Sequence, residues 1–414
     1  MLIAEGKFPV RNKSGVADCI CRVTFDLRRK HSIQISCLWP YPQQSPASWT
    51  IPNGPYFVQA LPNSDPIECL VLETNKLDED GILVILLPVS GAVIENGSSI
   101  VRVNAGIINL EQYWFGGPHK LDFCLEDGTW IFEFTPVSEK TFLYPSEIQS
   151  ESYSFTHHLV MRKIDGSAFS CAEARNAIDV LFIFLRFCTE RWIAPALVVG
   201  IDRSGVAAMQ EWGTPKVDVQ DSTSNWLDPY CGEPMVEVFP EYSRLMEDSD
   251  WKEAIRTAIY WYIRANTNHV GPDGGIVLLQ AALERLAWQK LVQDRGAISG
   301  DGFLKLPAAD QMRLILDSCR IPLSIPALLE QTLRAAKEYN WNDGPQAFVE
   351  VRNGLVHPQK RKKLEGSRAY FEVFQLGKWY LELILLRMFG LNSKYANRLK
   401  MPRSIGDVDP VPWT

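Results

Sequence analysis

The sequence has no apolar run long enough to cross a bilayer. Its most apolar helical stretch, Lys378 to Gly390, holds Glu382 and Arg387 and is too short to span one. The first ten residues carry Glu5 and Lys7 and no apolar core, so no signal peptide is expected and a cytoplasmic location is. Nine cysteines are present, but no CxxC pair and no His/Cys cluster at ligand spacing. That argues against a zinc site and points to buried free thiols in a reducing compartment, with no metal and no other cofactor. Basic charge is not in excess either: a net charge of −7 excludes a protein that coats nucleic acid along its whole surface.

What is present is a globular composition, 46% hydrophobic and 22% charged, over 414 residues, which is enough chain for two or three domains. The first 150 residues read as β-structure. Cys19 to Leu27 alternates, with Cys19, Cys21, Val23, Phe25 and Leu27 on one face; Ile33 to Cys37 does the same. Cys69–Leu72, Ile82–Leu87 and Ile100–Val103 are further strand-like runs, and Phe123 to Phe134 reads as a hairpin turning at Glu126-Asp127-Gly128. This region is expected to be a β-sandwich or barrel-like domain without a catalytic constellation; His119 is read as a loop histidine. Residues 151–240 form a mixed α/β connecting region. It holds a strand over Tyr153–Lys163 whose adjacent His157 and His158 face opposite sides, a helix over Ala172–Trp192, a hairpin over Leu197–Met209 and a polar linker from Gly213 to Pro234.

Residues 245–404 read as a helical bundle, giving an α+β multidomain chain overall. Helices are expected over Trp251–Asn266 (capped by Ser249 or Asp250), from Pro272 onward, and over Ala308–Cys319, Pro326–Tyr339, Gln346–Leu355 and Gly366–Gly390. The last is apolar nearly all round from Trp379 to Phe389, so it must be buried in the bundle or against a second subunit. Pro345 to Arg403 carries twelve Lys/Arg against four Asp/Glu, so an acidic body has one basic end, as a localised polyanion site would require.

Within that end lies Arg352-Asn353-Gly354-Leu355-Val356-His357-Pro358, followed by Lys360, Arg361, Lys362 and Lys363. Arginine grips phosphate oxygens at any working pH, and histidine is the side chain best placed to move a proton near neutrality. Spacing alone does not select this run, since an arginine with a histidine five to seven positions on is expected about once by accident in such a chain. Arg264 and His269 are a second instance, leaving a helix into an Asn/Gly/Pro loop with no basic residues after it. In an unbroken helix five steps leave two side chains about 140° apart. Asp343 as cap, Pro345 in the first turn, a buried stripe of Ala347, Val351 and Leu355, and an end near Gly354 would let the last turn bend His357 back towards Arg352.

Arg-Asn-x-x-x-His at a helix end, followed by a final long helix, resembles the R-x4-6-H signature of the HEPN family. Ala258 to Tyr262 and Leu278 to Leu286 look like its Apea-like branch, and the resemblance covers about residues 245–400. It implies a dimeric, metal-independent endoribonuclease that leaves a 2′,3′-cyclic phosphate. His357 would be general base or acid, Arg352 would hold the scissile phosphate, Asn353 would orient one of them, and Lys360, Arg361, Lys362 and Lys363 would guide RNA. The β-rich domain would sense a phage-derived or protein trigger in anti-phage defence by abortive infection. Two other readings remain open: a non-catalytic HEPN scaffold with Arg352 paired to Glu350 or a helix terminus, binding RNA, a nucleotide or a partner protein; and a β-domain that recognises a ligand, with helices that dimerise.

Overall fold

The computed structural model describes residues 2–13, 15–26, 32–39, 54–59, 66–77, 81–89, 92–116, 122–137, 153–213, 215–219, 224–266, 271–357, 359 and 367–414. The chain divides into two compact units, neither contiguous. One comprises residues 1–110, 129–178 and 193–221; the other 111–128, 179–192 and 222–414.

The first unit begins with β1 (Leu2–Asn12), β2 (Gly15–Phe25), β3 (Ile33–Trp39), β4 (Tyr56–Val58), β5 (Ile67–Leu77) and β6 (Gly81–Pro88), which close into a barrel in the order β1-β2-β3-β6-β5-β4. Closure comes from β4 pairing with β1, Val58 opposite Val10, and it removes the free edges that an open sheet would expose. Strand alternation fills the interior: Cys19, Cys21, Ile35, Cys37, Cys69 and Leu86 are wholly buried. The expected strand from Cys19 stops at Phe25, and Leu27 lies outside the described residues. All nine cysteines are free thiols.

The same unit holds β7 (Ala92–Glu95) and β8 (Arg102–Ile108). After β9 (Phe123–Glu126), which belongs to the second unit, come β10 (Trp130–Pro136), β11 (Phe155–Lys163), β12 (Ala194–Ile201) and β13 (Ala207–Trp212). They form a sheet in the order β7-β13-β12-β8-β11-β10, and Ile94, Ile108, Ala196 and Trp212 join the barrel residues in one core. On β11, His157 is buried and its neighbour His158 exposed, as alternation requires.

The second unit is mainly helical: α1 (Cys171–Thr189, from residue 179 onward), α2 (Glu233–Leu245), α3 (Ser249–Ala265), α4 (Gly271–Trp288), a π-helix (Gln289–Asp294), α5 (Gly300–Leu304), α6 (Ala308–Ser318), α7 (Glu330–Tyr339), α8 (Gly344–Val356) and α9 (Ser367–Met388). A two-stranded pair, β14 (Lys394–Tyr395) and β15 (Asp409–Pro410), follows. Among the described residues no helix is long and apolar enough to cross a membrane.

Several expectations are corrected. The cap of α3 is Asp248, whose carboxylate accepts from the Asp250 and Trp251 N–H groups at 2.9 Å, so Ser249 and Asp250 lie inside the helix. The second half of the expected linker is packed core: Trp226 is wholly buried and its indole donates to the Phe187 carbonyl at 3.2 Å, while α2 begins at Glu233. The strand, helix and hairpin expected within residues 151–240 are present as Phe155–Lys163, Cys171–Thr189, Ala194–Ile201 and Ala207–Trp212. The apolar run of α9 is buried within this single chain, from Trp379 to Leu386 without exception.

Candidate functional site

Helix α8 sets the Arg352 run, and its start is well defined. Asp343 accepts from the Gln346 N–H at 2.9 Å and takes both Nε and Nη2 of Arg313, at 2.7 and 3.1 Å. Pro345 sits in the first turn, where its missing N–H costs nothing. The helix is seated on α9 by reciprocal close approach: a Cβ at Gly344 would overlap the Tyr380 hydroxyl and one at Gly377 would overlap the Phe348 ring. Its buried face is Ala347, Phe348, Val351 and Gly354, with Leu355 half-buried and not fully inside.

The end of the helix differs from expectation. Gly354 does not stop it; the helix runs to Val356, and the His357 N–H still closes a turn onto the Asn353 carbonyl at 2.8 Å. Only His357 itself is extended, at φ −121° and ψ 95°. Its side chain is exposed, and among the described residues no hydrogen bond joins it to Arg352. Arg352 is half-buried; its Nη1 donates to Asn353 Oδ1 at 3.3 Å, and its Nε is buried without a hydrogen-bond partner. No carboxylate among the described residues pairs with it, Glu350 included. Pro358, Lys360, Arg361, Lys362 and Lys363, like His119 and His269, lie outside the described residues.

The basic end is less free than its sequence suggests. Lys378 and Arg398 are consumed in a buried ionic cluster that sequence reasoning missed. Arg398 donates to Glu382 at 2.7 and 2.6 Å, to Glu190 at 2.9 Å and to Gln375 at 3.0 Å. Lys378 pairs with Glu190 and donates to Asn266 at 2.9 Å, and the Tyr262 hydroxyl donates to Glu382. All four charged side chains are 3% exposed or less, so two cations and two carboxylates neutralise one another out of water. Burial, then the Arg398 charge, lowers the Lys378 pKa to about 8 against the pull of Glu190. Burial also opposes charge on Arg398, but Glu190 and Glu382 outweigh it and its pKa is raised. No substrate reaches such a cluster; it ties α3, α9, the end of α1 and the C-terminal segment together. Its signal in the sequence was a Lys and a Glu four apart inside an otherwise apolar helix. Lys400, bonded to Asp407 and Asp409 at 3.1 and 2.5 Å, is likewise structural.

The chain therefore combines a unit of closed barrel and sheet with a helical unit in which one helix ends on Arg-Asn and an exposed histidine. In comparison with known proteins, residues 96–223 match the family model described as the YopA central domain, and residues 248–409 that described as the YopA C-terminal domain. A curated relative, "SPbeta prophage-derived uncharacterized protein YopA" of Bacillus subtilis (strain 168), is 30% identical over 265 residues, 64% of this chain. The chain spans 59% of that relative's length. No solved structure matches. None of these descriptions names HEPN, so the nuclease reading rests on the Arg352 helix.

Proposed function

We propose that the helical unit is a metal-independent endoribonuclease of HEPN type, with Arg352, Asn353 and His357 as its site. His357 takes the proton from a ribose 2′-OH, and the 2′ oxygen attacks the adjacent phosphorus. The bond to the 5′ oxygen breaks, and that oxygen leaves with a proton returned by a histidine or by water. The products are a 2′,3′-cyclic phosphate and a 5′-OH, so RNA is cut and DNA is not. Arg352 binds the charge that builds on the non-bridging oxygens, Asn353 holds the guanidinium, and Lys360, Arg361, Lys362 and Lys363 attract the backbone. Two copies supply the facing halves of the cleft. The barrel unit restrains or releases the nuclease in response to a phage-derived or protein trigger; the relative's prophage origin suits such a role in phage defence.

The observation that carries this reading is the state of Arg352. A half-buried guanidinium with a buried, unpartnered Nε and no carboxylate among the described residues is unusual, because buried N–H groups are nearly always satisfied. A phosphate oxygen would satisfy it. The test is incubation of the full chain with mixed RNA in EDTA, beside Arg352→Ala and His357→Ala. Cleavage by wild type that is lost in both variants supports the nuclease, and cleavage surviving in both moves the site elsewhere. One observation favours a second reading, a non-catalytic scaffold that binds RNA: His357 terminates the helix through its own N–H and makes no bond to Arg352. RNA retained on a filter but never cut, with retention lost in Arg352→Ala, would establish it.

A further inference from the structure

A second basic site lies in the helical unit, built from other elements than α8. Lys290 on the π-helix, Arg295 directly after it and Arg387 in the last turn of α9 line a pocket of about 480 Å³ with Glu241, Ser318 and Cys319. Their convergence has an independent sign: burial raises the Cys319 thiol pKa, and Lys290, Arg387 and Arg295 all act on it in the opposite sense, so all three charges lie close to one sulfur. Among the described residues Arg295 and Arg387 have no ion-pair partner. The one carboxylate in the lining, Glu241, is engaged by Arg244 at 2.8 and 2.6 Å. Lys290 pairs with Asp294 at 3.0 Å, outside the lining.

The π-helix is what brings the cations together. Five α-helical steps would place Lys290 and Arg295 about 140° apart. Here the Arg295 N–H bonds the Lys290 carbonyl at 3.2 Å, an i to i+5 closure that stacks one residue over the other and turns both side chains to the same pocket. Such π segments are costly and recur at functional sites. Arg387 alone would be explained by the partial negative charge at a helix C-terminus. Arg295, the C-cap of the π-helix that runs on directly from α4, stands at a second helix C-terminus, so the same account covers each arginine separately; it does not account for their convergence with Lys290 on one pocket.

We infer that this pocket binds a phosphate dianion, either free or as the terminal group of a phosphate monoester. With their ion-pair partners counted, Lys290, Arg295, Arg387 and Arg244 against Glu241 and Asp294 leave an excess of two positive charges, carried by Arg295 and Arg387; this matches a dianion, and the two guanidinium groups provide the forked donors that phosphate oxygens take. This inference does not depend on the nuclease reading.

Equilibrium dialysis of the full chain at constant ionic strength tests it, with radiolabelled inorganic phosphate in one arm and adenosine monophosphate in the other. Saturable binding is expected in at least one arm, and comparison of the arms identifies the source of the phosphate. Arg295→Gln and Arg387→Gln should each weaken it about tenfold, the loss of one charge-assisted contact. Arg352→Ala should leave it unchanged. Arg295 is exposed and has no ion-pair partner among the described residues, so its variant keeps the test valid even if Arg387→Gln does not fold. Absence of saturable binding in both arms, or affinity unchanged in Arg295→Gln, would overturn the assignment. Loss of binding in Arg352→Ala would place the anion at the α8 site instead.

Discussion

Two pairs in the helical unit share one spacing and differ in everything else. Arg352 on α8 and its C-cap His357 are five residues apart; Lys290 on the π-helix and its C-cap Arg295 are five apart. On α8 the hydrogen bonds stay i to i+4 as far as His357, so the two side chains diverge and one copy of the chain does not bring them together. On the π-helix the i to i+5 bond aligns the pair, and both line one pocket. Spacing in sequence is therefore not geometry; the backbone register between the two residues decides. On the proposed reading the divergent pair would need a second copy to complete a site, whereas the convergent pair would act within one chain.

The sharpest way to break this contrast is complementation. Arg352→Ala and His357→Ala should each lower RNA cleavage by about 10² to 10⁴, as loss of a phosphate-binding or proton-transfer group does. Mixing the two inactive variants should restore part of the activity if the arginine of one copy works with the histidine of another. Continued inactivity of a mixture shown to contain heterodimers would mean that the pair acts within one copy. Next in size is the cluster under α9. Glu382→Ala leaves Arg398 buried with one partner fewer and should cost about 3–5 kcal/mol in urea unfolding. Because α9 both seats α8 and carries Arg387, that variant should weaken cleavage and phosphate binding together, unlike any substitution at either pair. An unchanged unfolding midpoint would show that the cluster is open to water.

The histidines repeat the lesson that surroundings decide. His357 is exposed, whereas His157 on β11 is 1% exposed, and burial, then the neighbouring His158, lowers its pKa to about 3. The unfolded chain takes up that proton near pH 6.5, so between about 6.5 and 3 the unfolded state binds more protons. Stability should then fall as the pH is lowered through that window, by about 1.4 kcal/mol per unit. His157→Gln should flatten the slope, and a slope unaltered by the substitution would mean that the native sheet accommodates the charged ring.

The architecture was legible where one period dominated. Alternation marked β2 and β3, and all-round apolarity marked α9 as buried. The barrel's closure was not legible, because it depends on the short β4 meeting β1 across a long stretch of chain. Trp226 and its neighbours looked like linker because Pro, Gly and Ser surround a tryptophan whose burial is decided by α1. At the candidate site the residues and the helix start were readable from capping chemistry. The end was misread because glycine was taken as a stop, whereas Gly354 is buried in the helix face, where the absence of a side chain serves packing. The cation pocket had no signal at all, since no sequence period announces an i to i+5 bond.

The smallest expected effect separates the start of α8 from its end. Asp343 caps the first turn and holds Arg313, thirteen residues before the helix ends at Val356. Asp343→Ala should cost about 1 kcal/mol, the usual worth of an N-cap, with a further contribution from the partly exposed Arg313 pair that solvent screening keeps small. Asp343→Asn keeps an acceptor for the Gln346 N–H and gives up the ionic part, so it should lie between wild type and alanine in thermal unfolding. If α8 merely carries Arg352 and His357 to its far end, both variants should cleave RNA at the wild-type rate at temperatures where they remain folded. A fall in cleavage out of proportion to the lost stability would mean that the helix shifts along α9 when its cap is released, and that the divergence of Arg352 and His357 is set from the opposite end.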